Sequence, residues 1–143
     1  MNKEKITVLV IAVIGAFMTF MPWAKIGVLL TVNGTDGDGW FTFLVFAVAI
    51  AILFIGDKKA ELIVWQKNSI IAVGTINFLL AAFEIINIKS KLAQIEQSKD
   101  IFGIGKMMAQ AVKIQPALYI IALTALLLVV VVVFKKQIFR NFK

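Results

Sequence analysis

Chemistry in this chain can rest on very few side chains. Asp36-Gly37-Asp38-Gly39 places two carboxylates one residue apart ahead of a glycine, as in the middle of a calcium loop, where alternating oxygen ligands precede an obligatory glycine. Aligned on Gly39, the pattern has Gly34 where the first ligand belongs and Val45 where the bidentate carboxylate belongs. Asp36 and Asp38 are therefore either ligands of a weakly held cation, calcium by type, or acceptors for backbone N–H groups in a glycine-rich turn. The second candidate is Glu84, the acidic residue well inside an apolar stretch, where an ionised carboxylate costs about 2.5–3.5 kcal/mol even on permissive insertion scales. At helical spacing Asn77, Ala81, Glu84 and Ile88 form one stripe, expected to face the interior of a helix bundle. Such a carboxylate needs a partner, and Lys25 or Thr19 is expected to supply it; the rival use of Asn77 and Glu84 is a relay for protons or cations.

The absences are as informative. The chain has no Cys and no His, which removes disulfides, thiolate chemistry, most zinc sites and the commonest general base. Carboxylates and amines alone remain for catalysis, so an enzyme is not expected and no cofactor is implied beyond the calcium possibility. At 61% hydrophobic residues, 16% charged residues and a mean hydropathy of +0.95, the 143 residues are too apolar for a soluble fold of this size. The net charge of +7 would suggest nucleic acid in a soluble protein, but here the basic residues flank apolar blocks, where lipid headgroups can meet them, and no nucleic-acid partner is expected.

Four apolar blocks must position these residues: 6–23, 40–55, 69–88 and 117–134, the last closing on the run Val129 to Val133. A stretch of about 18 residues makes about 27 Å of helix, close to the thickness of a hydrocarbon core. The expected fold is an all-α membrane protein, a four-helix transmembrane bundle with a small extracellular strand or hairpin element. Lysine and arginine bias sets its orientation. With the amino terminus inside, nine basic residues flank the cytoplasmic side and six lie in the two outer loops, 24–39 and 89–116. Both termini, the loop 56–68 and the basic tail 135–143 are then cytoplasmic, in a bacterial cell membrane. Trp23, Trp40 and Tyr119 fall at the outer boundary as interfacial anchors, and Trp65 and Phe134 at the inner one. Alternation in residues 25–32 predicts a strand, Asn33-Gly34 a tight turn, and residues 106–114 either a short helix or a strand pairing with the first loop.

This order of parts resembles that of small bacterial four-helix integral membrane proteins in which a Pro-Trp closes the first helix and a loop rich in glycine and aspartate enters the second. The residues that carry the resemblance are Met21-Pro22-Trp23, the segment from Asn33 to Trp40, the segment from Phe83 to Lys91, and Pro116 to Tyr119. It implies a fold and no activity. In topology alone the pattern is also similar to that of claudins, but the loop cysteine pair is missing and about 16 residues between Trp23 and Trp40 leave no room for their full sheet. The expected function is non-enzymatic: a membrane interaction protein, in contact with lipid, whose outer loops recognise another membrane protein, a lipid or an incoming toxin or phage component. The alternative is a subunit of a homo-oligomeric channel or transporter with Asn77 and Glu84 facing the pathway.

Overall fold

A computed structural model describes residues 1–26, 30–97 and 112–140. Helix α1, Lys3–Met18, starts where the side chain of Asn2 accepts the Glu4 N–H at 3.0 Å, an N-cap of the usual kind. It stops short of the expected end at residue 23. The Thr19 hydroxyl donates back to the Ala16 carbonyl at 2.6 Å, and Pro22, which has no N–H for a helical bond, opens strand β1, Pro22–Ile26. Helix α2 spans Gly39–Phe54 and ends ahead of Gly56, whose φ of 78° is the left-handed conformation common after a helix. Helix α3, Val64–Gln97, runs on for 34 residues, so the first third of the expected second outer loop is helical. Helix α4, Pro116–Val133, takes its proline in the first turn, where a missing N–H costs nothing, and the short helix α5, Lys135–Arg140, follows.

The protein is mainly helical with one small sheet. Two stretches, Val64–Gln94 and Pro116–Val133, are long and apolar enough to cross a membrane. Helices α1 and α2, 16 residues each, fall below that length, so the expectation of four spanning helices holds for two. The sheet takes over the end of the first block and so shortens α1, whereas α2 is as short as the apolar block 40–55 that forms it.

The four long helices pack in a ring, α1 on α2, α2 on α3, α3 on α4 and α4 back on α1. Close approach between α3 and α4 depends on Gly74, where a Cβ would lie 2.8 Å from the Ala125 carbonyl oxygen. The interior is mainly apolar, with Val8, Phe46, Ile70 and Leu128 fully buried, but Thr19, Thr42, Gln66, Asn77 and Thr124 are buried among them, and Val10, Phe17, Leu44, Val48, Leu79 and Leu123 are exposed.

The sheet has the order β2-β1-β3, with both pairings antiparallel. Strand β2 is Leu30–Asn33 and β3 is Val112–Ile114. The single strand expected over residues 25–32 is thus two, β1 and β2, and the expected turn at Asn33-Gly34 is instead the exit from β2 into a 3-10 turn, Gly34–Asp36. Strict alternation cannot reveal where a run folds back on itself. Of the ambiguous segment 106–114, the last three residues form β3, paired with β1, and 106–111 lie outside the described residues.

Candidate functional site

The sheet closes one end of the helix ring. Its register puts Ala24 beside Val32 and Ile114 on one face, and Lys25 between Thr31 and Lys113 on the other, where all three polar side chains are exposed. Trp23, at the irregularity in β1, turns inward and is only 6% exposed; its Nε1 donates to the Met18 carbonyl at 3.4 Å. Gly34 makes this possible, because a Cβ there would overlap the Trp23 indole and the Thr19 carbonyl oxygen. Trp23 is therefore a core residue, not the interfacial anchor expected of it. Trp40 and Tyr119 are exposed, and Trp40 stands edge-on to Phe20 and Phe43 at centroid distances of 6.2 and 6.1 Å.

Between the sheet and α3 lies a cavity of about 370 Å³. Trp23, Ala24, Val32, Ile88, Leu92 and Val112 supply apolar walls, and Glu84 and Lys91 are its charged lining residues. Glu84 reaches it because it continues the stripe of Asn77 and Ala81 along α3, by two turns from Asn77. Asp38, at the entrance to α2, and Lys91 are the charged groups near enough to act on Glu84 electrostatically. Lys25 lies on β1 with its side chain exposed, and the Thr19 hydroxyl is committed to Ala16.

The two aspartates of the glycine-rich segment have separate places. Asp36 Oδ2 accepts the Asn33 N–H at 2.8 Å and so closes the 3-10 turn, while Asp38, with an exposed side chain, stands just ahead of α2. Among the described residues no three or more acidic side chains converge as a metal-binding group. No family model, curated protein or solved structure matches this chain.

Asn77 is 0% exposed, and its Oδ1 and Nδ2 have no hydrogen-bond partner among the described residues. With Ala81, 2% exposed, it faces the interior of the helix ring, as its stripe predicts.

The opposite end carries a charge network that spacing alone does not suggest. Lys135, at the start of α5, contacts Glu4 at 2.7 Å and Glu61 at 2.6 Å. Glu4 is 1% exposed and its Oε2 also accepts the Leu62 N–H at 3.4 Å, while Lys5, 2% exposed, donates to the Asp57 carbonyl at 2.8 Å. Burial pulls the Lys135 ammonium down, but its hydrogen bonds to Glu4 and Glu61 outweigh this and hold its pKa above the ordinary lysine value. The hydrogen bond from Lys135 holds the Glu61 carboxyl below the ordinary range. Glu61, Lys67, Lys135 and Gln137 also border a hollow of about 460 Å³, but there acid and base already answer one another. One signal could have pointed to this network: Glu4 is the lone acid in a lysine-flanked helix start.

Proposed function

We propose that this chain is a non-enzymatic membrane interaction protein whose sheet end faces outward and recognises a ligand there, whether a membrane protein, a lipid or an incoming toxin or phage component. The observation that carries this reading is the cavity of about 370 Å³ between the sheet and α3, which draws its walls from both segments expected to form the outer loops. In this reading all four long helices cross a bacterial cell membrane and both termini are cytoplasmic. Its support is the apolar outer surface of the short helices, at Val10, Phe17, Leu44 and Val48, together with the basic residues concentrated at the opposite end. Helices of 16 residues make about 24 Å, which local thinning of the bilayer accommodates.

The burial of Asn77 inside one chain favours recognition over conduction. A pore made by association of several copies would be lined by outward-facing residues, and Asn77 is enclosed. A photoreactive amino acid at Val32, in the cavity wall, tests the reading in the native membrane, with Val48 on the apolar face of α2 as control. A discrete adduct is expected from position 32 and not from 48. Identical diffuse labelling from both positions would remove the cavity as a recognition face.

A further inference from the structure

We propose that the sheet-end cavity binds a free amino acid with an apolar side chain, its ammonium at Glu84 and its carboxylate at Lys91. The inference rests on the reading of the sheet end as a recognition face and adds a small-molecule ligand to it. The cavity volume of about 370 Å³ lies within the range of small-molecule sites, about 300–1,000 Å³. Trp23, Val32, Ile88 and Leu92 give its walls apolar and aromatic surface for a side chain. The charged lining is one acid and one base, Glu84 and Lys91. A singly charged occupant would answer one of them and oppose the other, whereas a zwitterion makes a charge-assisted hydrogen bond to each.

The spacing of the two charges suits an α-amino acid. Glu84 and Lys91 lie on one face of α3, two turns apart, which is about 10 Å of rise. The ion pairs among the described residues all belong to Lys135, so these two are not joined to each other. Standard bond lengths put about 3 Å between the ammonium nitrogen and the nearer carboxylate oxygen of an α-amino acid, and a hydrogen bond of about 2.8 Å at each end brings the span to about 9 Å. That span is close to the rise. The order of the charges then selects among zwitterions. Lys91 lies nearer the end of α3 that the proposed topology turns outward, and Glu84 nearer its middle. A phosphatidylethanolamine of the surrounding leaflet presents the opposite order, because its acyl chains hold the phosphate inward and leave the ammonium outward. A free amino acid has no such anchor, so its ammonium reaches the half-buried Glu84 while its carboxylate stays with the exposed Lys91.

The test uses the purified full chain in neutral detergent with Trp40→Phe and Trp65→Phe, which leaves Trp23 in the cavity wall as the one tryptophan. The probes are L-valine, L-leucine and L-phenylalanine, with two counterparts of leucine that each lack one charge: 3-methylbutylamine, without the carboxylate, and 4-methylpentanoate, without the ammonium. At least one of the amino acids should change Trp23 emission saturably, and both counterparts should bind about tenfold more weakly than leucine or worse. Glu84→Gln should weaken leucine about tenfold and abolish its advantage over 4-methylpentanoate, while Lys91→Gln should do the same with respect to 3-methylbutylamine. Lys91 is exposed, so Lys91→Gln carries the test if Glu84→Gln fails to fold. Affinity for either counterpart equal to that for leucine overturns the proposal, as does indifference of leucine binding to both variants or the absence of saturable binding by all three amino acids below about 10 mM. In those cases a discrete adduct at position 32 would still stand for the recognition face, whereas loss of the adduct would remove that reading itself.

Discussion

The ammonium of Lys135 lies 2.7 Å from Oε2 of Glu4, a carboxylate only 1% exposed, and so joins the start of α5 to the first turn of α1. Glu4 would otherwise be a buried charge with one backbone N–H among the described residues, that of Leu62, as compensation. Removing the partner of a buried charge costs about 3–5 kcal/mol, and the partial exposure of Lys135 reduces this to about 2–3 kcal/mol for Lys135→Ala. Thermal unfolding in detergent should show that loss, with little change in Glu61→Ala, whose carboxylate is solvent-exposed.

The same network makes a pH prediction. The pKa of Glu61 is depressed, so its contribution is present above the ordinary glutamate pKa of about 4.3 and fades as pH falls through the lower folded value. The pKa of Lys135 is raised, so its contribution is complete below the ordinary lysine pKa of about 10.4 and is lost as pH rises through the higher folded value. The stability difference between the parent and Lys135→Ala should therefore be flat across neutral pH and shrink at both extremes. A difference that varied steadily through neutrality would assign the effect to other groups.

Gly34→Ala should displace Trp23, because the added methyl overlaps both the indole and the Thr19 carbonyl oxygen. Overpacking of this kind costs about 1–3 kcal/mol. Red-shifted tryptophan emission and a lower unfolding midpoint are the expected signs. Gly37→Ala, with open space around its Cβ position, should behave like the parent.

Asn77→Val removes two buried amide atoms that lack partners among the described residues. Leaving such groups unsatisfied costs about 1–3 kcal/mol, so the valine chain should be at least as stable as the parent. A clear loss of stability would mean that the amide has a partner the fold depends on.

Every cysteine introduced into this chain is unique, since it has none of its own. An impermeant maleimide should label Thr31→Cys and Lys113→Cys on intact cells, and Lys59→Cys only after the membrane is opened. Outward labelling of position 59 would invert the proposed topology.

The helical blocks were legible because a strongly apolar helix declares itself by composition along a continuous stretch. The expected 40–55 and 117–134 became Gly39–Phe54 and Pro116–Val133. The inward stripe was legible for the same reason: helical spacing alone puts Asn77 and Ala81 on one face, and both are buried. The boundary of the first block was not, because a helix and a strand can share one apolar run, and only pairing with β2 and β3 takes Pro22 and Trp23 out of α1.

Residue order by itself determined the apolar composition of this protein, with two stretches long and apolar enough to cross a membrane, and left no thiol or imidazole for catalysis. Only the tertiary structure decided which charges meet. Glu4 and Lys135 belong to opposite ends of the chain, and the Lys5 ammonium meets the Asp57 carbonyl from another segment, so no local period relates them. Their contacts exist because the ring of helices brings remote segments together at one end, and there burial makes a partner for a charge worth far more than it would be in water.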